Sequence, residues 1–362
     1  MHSLRRLTLL LVTSLACMSC LAVAQQPIDW KSLPKDPAVL TSPEALAIAD
    51  NLLAYQYKSG GWPKNIAMEK NLTDADRAAL ASRDETKRDG EHTPTIDNGA
   101  TTSQIRFLAA VFTATGHERH RDAVLRGLDY LFTAQYENGG WPQFFPLRKG
   151  YYTHITFNDD ATRNVLEILR DTAAAKAPYA FVDEPRRIRA TDALARGIAC
   201  VLRCQIVVDG KPTVWAAQHD ETTFAPAPAR KFEPACFTSQ ESAGLVRFLM
   251  SLENPSPEII ASVQGAVAWF ERTKLSGLRF ERVKTPEGRD GIVTPDPAAP
   301  PLWARFYELG TERPIFIGRD EVIHYTLSEI ERERRGGYAW YDDRPAEILK
   351  KYPSWLNRNV KP

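Results

Sequence analysis

The sequence predicts a mainly α chain built from stacked helical hairpins, and three observations predict it. Residues 55–63, YQYKSGGWP, return as residues 134–142, AQYENGGWP. A fainter copy joins Arg203-Cys204-Gln205 to Asp209-Gly210 and Trp215, and Gly336-Gly337-Tyr338-Ala339-Trp340 is a candidate fourth. The tryptophans Trp62, Trp141 and Trp215 are 79 and 74 residues apart, the length of two helices and their connections. Between the copies, apolar residues recur at helical spacing. Stacked hairpins of this kind form an α-solenoid or, where the stack closes, an α/α toroid.

Taken in order, residues 42–56 open on Ser42 as an N-cap, followed by Pro43 and an apolar stripe. Residues 73–93 are charged and expected to be mobile. Helical spacing returns in residues 101–115, 119–135, 160–175, 189–205, 239–252 and 258–274. The Gly-Gly after the first, third and fifth of these elements, or its fainter remnant, suits a helix end, where a left-handed residue is needed and glycine adopts it most readily. Each tryptophan then lies over the end of a hairpin. Trp62 and Trp141 have two readings, core packing and a sugar-stacking platform, and Trp141 is kept as a candidate substrate-binding residue. The Pro-rich stretches 224–234 and 294–301 read as loops within one body, with no Ser/Gly linker between segments.

The N-terminus reads as a targeting segment. Arg5 and Arg6 precede the apolar run Leu7 to Leu15, and Ala22-Val23-Ala24 is a small-x-small cleavage site. Residues 1–24 are therefore expected to be a signal peptide, residues 25–362 a single domain, and the mature protein secreted or periplasmic. Cleavage removes two arginines and no acid, which takes the formal charge from +1 to −1. That balance, with no basic run, gives no support for nucleic-acid binding and leaves room for a local basic cleft suited to an acidic substrate, and no later stretch is apolar enough to span a membrane. A monomer is expected. Cys200, Cys204 and Cys236 remain; an odd number makes no complete disulfide framework, and buried thiols are the preferred reading.

Candidate chemistry gathers at one end of the hairpins. Asn158, Asp159 and Asp160 follow the aromatic-rich loop 135–157 and supply hard oxygen donors suited to Ca²⁺. They also suit a helix start, with Asn158 or Asp159 as the cap and Asp160 favouring the dipole. Asp97 and Asn98 fall at the corresponding end of the preceding hairpin, so the two clusters can share one cation. Arg230 and Lys231, in a Pro-bounded loop, and Arg305, among Trp303, Phe306 and Tyr307, are candidate carboxylate binders as well as ordinary surface charges. Arg319 follows Ile315-Phe316-Ile317-Gly318 and projects from the end of a strand-like segment. There is no GxSxG elbow, P-loop, HExxH or dinucleotide fingerprint.

Over residues 42–355 the motifs GGWPKN, TIDNGATTSQIRFLA, QYENGGWPQFFPLRKGYYTHITFNDDA, ARKFEP, LWARFYELGTERPIFIGRD and RRGGYAWY resemble those of the bacterial pectate lyases of polysaccharide lyase family ten. The resemblance implies an α/α toroid with short irregular β segments. It implies β-elimination of de-esterified polygalacturonate with Ca²⁺. It implies Asp97 and Asn98 as the acid–amide pair of the active centre, Asp159 as a Ca²⁺ ligand with Asp160 beside it, Arg230 and Arg305 as binders of substrate carboxylates, and Arg319 as the base. Three other classes remain open on the residues alone: a glycoside hydrolase on the same toroid, a triterpene cyclase, whose repeats the Gln135-to-Trp141 pattern is similar to, and a non-catalytic pectin-binding module. The cyclase reading lacks its Asp-x-Asp-Asp motif.

Overall fold

The computed structural model describes residues 28–34, 36–84 and 93–360. The signal peptide expected at residues 1–24 lies outside them. Eleven α-helices are described: α1 (Pro37–Leu40), α2 (Pro43–Tyr55), α3 (Asp74–Ala81), α4 (Thr102–Thr115), α5 (Glu118–Ala134), α6 (Ala161–Ala173), α7 (Glu184–Cys204), α8 (Ser239–Met250), α9 (Pro257–Thr273), α10 (Arg332–Gly337) and α11 (Arg344–Asn359). Helices α4/α5, α6/α7 and α8/α9 are the antiparallel hairpins that the repeats predict. Along one layer α2 packs on α4, α4 on α6, α6 on α8 and α8 on α11; along the other α5 packs on α7, α7 on α9 and α9 on α11. This two-layered arc is the helical toroid. Helix α8 is buried on nearly every side, as an inner-layer helix must be, whereas α5 and α7 keep charged outer faces.

The repeat is a structural device. The amide of Gln56 donates to Gly60 O and to Ala123 O on α5, both over 2.9 Å. Gln135 does the same to Gly139 O and Ala193 O on α7, again over 2.9 Å. Gln205 donates to Thr213 O (2.8 Å) and Ser262 O on α9 (3.0 Å). Each glutamine thus staples one hairpin to the outer helix of the next. The indoles of Trp62, Trp141 and Trp215 donate back to Leu52 O, Leu131 O and Val201 O at 2.7–2.8 Å. Gly139, at φ 93°, passes so close to α7 that a Cβ would lie 2.1 Å from Arg196 O, which no other residue permits. Trp340 departs from the pattern by bonding Arg334 O only six residues earlier, so 336–340 is not a further copy.

One expectation is corrected. Within residues 73–93, α3 is an ordered helix closed by a reciprocal Thr73–Asp76 capping box; the remainder, 85–92, lies outside the described residues. The expected short β segments are present, and the longest pairing joins residues 278–285 to 288–295 as an antiparallel hairpin. The other strands are two-residue pairings, including Ile155–Thr156 with Gln218–His219 and Trp303–Ala304 with Tyr341–Asp342. One continuous apolar core runs from Trp30 to Trp355 and takes in the three buried, unpaired cysteines. Among the described residues no helix is long and apolar enough to cross a membrane.

Candidate active site

Two turns with similar backbone paths at their start build the centre of the site. Residues 95–101 (TIDNGAT) and 156–162 (TFNDDAT) each enter an inner helix through a single 3-10 turn, Asp97–Gly99 before α4 and Asn158–Asp160 before α6. Asn98 lies at φ 52°, ψ 31°, and Asp159 at φ 48°, ψ 37°. This left-handed conformation is one that Asn and Asp tolerate better than other side chains bearing a Cβ. Thr101 Oγ1 donates to Thr95 O (2.8 Å), and Thr162 Oγ1 to Thr156 O (2.6 Å). Thr95 N and Thr156 N both donate over 3.0 Å to the carbonyl of their repeat's tryptophan, Trp62 or Trp141. The repeat therefore sets two acidic turns side by side at one end of the hairpins.

Asn158 bridges them. Its Nδ2 donates to Asp97 Oδ1 (3.5 Å) and to Asp159 Oδ2 (2.8 Å). Asp97 is buried, and its other oxygen pairs with Lys64 Nζ. Asn98 Nδ2 reaches Asn65 Oδ1 over 3.1 Å. The donor set fits a hard cation in part. Two facing carboxylates and one amide supply a minority of the six to eight oxygens that Ca²⁺ takes, which leaves positions for water and for a ligand's own carboxylate. A cation there would have to displace the Lys64 ammonium from Asp97.

Asp160 does not share this centre. Its Oδ2 is held by Arg163 (3.0 Å) and Arg344 (3.4 Å), and its Oδ1 packs where a Cβ on Gly244 of α8 would lie 2.1 Å away. The expected cap is also displaced by one or two positions. Asp160, at φ 62°, is the N-cap of α6, with no side-chain cap bond: Oδ2 is held by the arginines, and Oδ1 is buried without a partner among the described residues. Among the described residues another group could hold a metal: His154, Asp220 and Glu221, whose donor atoms lie within 4.8 Å of one another at the end of the Ile155–His219 pairing.

From Asp159 the site continues as a wall of arginines. Arg305 is buried, and its Nη2 meets Asn158 Oδ1 (3.1 Å), Asp159 Oδ1 (3.3 Å) and the fully buried Glu241. Burial opposes the Arg305 charge, but Glu241, Tyr338 and Asp159 outweigh it and hold its pKa above the ordinary value. Its guanidinium lies 5.0 Å from the Tyr338 ring, and Tyr338 donates to Glu233 Oε1 (3.1 Å). Glu233 forks onto Arg230 and raises its pKa. Arg230, Arg319 and Arg334 all face the ring of Phe232, at 5.1, 5.3 and 4.6 Å. Arg319 is half-exposed and held by Glu333 at 2.8 Å, a contact that raises its pKa. Lys231 is on the rim, 80 % exposed and 3.2 Å from Glu321.

The structure thus brings together Asp97, Asn98, Asp159, Arg305, Arg230 and Arg319. It does not bring in Trp141, which is wholly buried with its N–H spent on Leu131 and so has no ring face to offer a sugar. Three residues escaped the sequence reading. Lys64 stands where the second repeat has Gln143, a substitution in the repeat that could have flagged it. Glu241 sits in the first turn of α8, where an acid reads as dipole compensation. Arg334 lies in the RRGGYAWY stretch without an assigned role.

A family model described as pectic acid lyase matches residues 56–349. No curated relative matches the chain. Two solved structures of a family 10 polysaccharide lyase from Cellvibrio cellulosa are similar at 32 % identity with a TM-score of 0.74, over 86 % of this chain. One is a mutant in complex with trigalacturonic acid, covered over 93 % of its length, and the other is covered over 92 %. With the two acidic turns and the arginine wall in place, this chain belongs to the pectic acid lyase family.

Proposed function

We propose that the chain is an exported, monomeric pectate lyase that cleaves de-esterified polygalacturonate by Ca²⁺-dependent β-elimination and leaves a 4,5-unsaturated end. The observation that carries this reading is the bridge from Asp97 through Asn158 to Asp159, set against Arg305 and the arginines around Phe232. The trigalacturonic acid bound by the similar Cellvibrio lyase supports a polygalacturonate substrate. The cation, when bound, supplies positive charge next to the uronate carboxylate and makes the adjacent C5–H more acidic.

The chain's own groups do the rest. Asp97 and Asp159 would hold the cation, and Asn98 lines the turn that carries Asp97. Arg230 and Arg305 offer guanidinium donors to uronate carboxylates, which stabilises the negative charge that builds as C5 loses its proton. Arg319 is assigned to accept that proton; the electron pair forms the C4–C5 double bond, the C4–O bond breaks, and the leaving oxygen takes up a proton. Its pairing with Glu333 favours the charged form, so substrate binding must open that contact before Arg319 can act as a base. Residues 1–24 supply the export signal, and residues 25–362 form one catalytic unit.

The test is polygalacturonate cleavage followed by the ultraviolet absorbance of the unsaturated product, with and without chelator. A rise that chelator abolishes and Ca²⁺ restores is expected. New reducing ends without that absorbance mark a hydrolase and overturn the proposal.

A further inference from the structure

Arg334 is the guanidinium of the wall that has no counter-ion. Arg230 pairs with Glu233, Arg305 with Glu241 and Arg319 with Glu333. Arg334 is only 6 % exposed, yet no carboxylate of the described residues lies within ion-pair distance of it. Its hydrogen bonds are two long ones, from Nε and Nη2 to Ile317 O, both at 3.4 Å. Nη1 has no partner among the described residues. The rings of Phe232, Tyr338 and Trp340 surround the group at 4.6, 4.7 and 5.2 Å.

Burying an unpaired cation is costly, and cation–π contacts offset only part of that cost. Desolvation pulls the Arg334 pKa below its ordinary value, and neighbouring Arg319 and Arg230 add to the effect. Charges of the same sign gathered around one phenyl ring, with one of them uncompensated, make a site short of one anion. A carboxylate suits such a site: it has two oxygens to meet the guanidinium edge, and a pyranose that carries it can lie along the rings.

We propose that Arg334, backed by Phe232 and Tyr338, is an anion subsite that takes a uronate carboxylate of the polysaccharide, beside the residues the resemblance assigns. This rests on the pectate lyase reading for the identity of the anion. In this role Arg334 determines the preference for free over esterified uronates, since a methyl ester removes the compensating charge.

The experiment compares the parent with Arg334→Met and Arg334→Lys. The first readout is the thermal shift caused by trigalacturonate, in chelator so that no turnover occurs, with a neutral galactose trimer as control. The second is KM and kcat on polygalacturonate with Ca²⁺. The Met variant, free of the unpaired cation, should melt no lower than the parent without ligand, should lose the trigalacturonate shift, and should show a KM raised about ten- to hundredfold, as for a lost charge-assisted contact. Its kcat should change much less. The Lys variant should recover part of the shift. If the Met variant fails to fold, the Lys variant carries the test, with a reduced shift expected from the lost fork. Parental shift and KM in the variants overturn the subsite while leaving the lyase reading intact. A trigalacturonate shift in a parent that yields no unsaturated product overturns the lyase reading while the subsite stands.

Discussion

Glu241 and Arg305 form an ion pair sealed beneath the Asn158–Asp160 turn, and the same Arg305 nitrogen reaches Asp159 Oδ1 over 3.3 Å. The pair joins α8 to the turn that carries the proposed cation ligand. Removing one partner of a buried pair leaves the other charge uncompensated, at a cost of about 3–5 kcal/mol, whereas replacing both by apolar groups is close to neutral. Glu241→Gln should therefore lower the melting temperature strongly, and a Glu241→Met/Arg305→Met double variant should recover much of the loss. Calorimetric melting of the three proteins checks it. In the Gln variant Arg305 is freed to compete for Asp159, so Ca²⁺ binding should also weaken.

Asp97 and Asp159 should both be needed for the metal. Each alanine variant should lose more than the hundredfold that supporting residues of a metal site typically contribute. Lys64→Met should instead tighten Ca²⁺ binding, because the ammonium that pairs with Asp97 is gone. Isothermal titration with Ca²⁺ and then Mg²⁺ measures both effects. Magnesium should substitute poorly, since it demands a smaller octahedral shell and sheds water reluctantly. Equal affinity of the Lys64 variant and the parent would show that the ammonium does not occupy the cation's place.

For Arg319 the pH profile decides. As the base it works in its neutral form, and Glu333 raises its pKa, so the active fraction grows with pH and the pairing postpones that growth. Glu333→Gln lowers the Arg319 pKa, so turnover at a given alkaline pH should rise and the profile should move to lower pH. Arg319→Ala and Arg319→Lys should lose about 10²–10⁴ in turnover at saturating substrate, with Ca²⁺ binding unchanged. A Lys variant near parental turnover removes Arg319 from the base role, and Lys231 is the next basic residue to examine.

Asp342, in the strand paired with Trp303–Ala304, has its pKa pushed up to about 6, chiefly by burial, although Arg344 pulls the other way. A carboxyl with a raised folded-state pKa favours the fold when protonated. Its contribution is full below the ordinary carboxylate range and is lost as pH rises from about 4 through 6, by at most about 3 kcal/mol. Asp342→Asn should flatten this part of the stability curve and be the more stable protein above pH 6. Urea unfolding at pH 4.5, 6 and 7.5 measures the slope.

The sequence by itself determined the hairpins and their ends. Gln56/Trp62 and Gln135/Trp141 could be read as a repeat because each copy answers to local requirements: a left-handed glycine at a helix end, an indole over the turn, a periodic apolar face. The acidic residues Asp97 and Asp159 were legible too, since each sits in an Asn/Asp cluster at the corresponding end of its hairpin, although the two turns set Asp97 opposite Asn158 and Asn98 opposite Asp159. Only the tertiary structure decided which charges work together. Asp159 and Asp160 are neighbours in the chain, yet Asp160 is drawn between Arg163 and Arg344 while Asp159 remains with Asp97. Trp141 could have packed inward or faced a sugar, and its burial against Leu131 O settled that. Glu241, Arg305 and Arg334 acquire their meaning from partners in distant segments, 64 residues away for Glu241 and Arg305. Ion pairing and desolvation depend on where the fold places opposite charges, and periodicity along a chain carries no record of that.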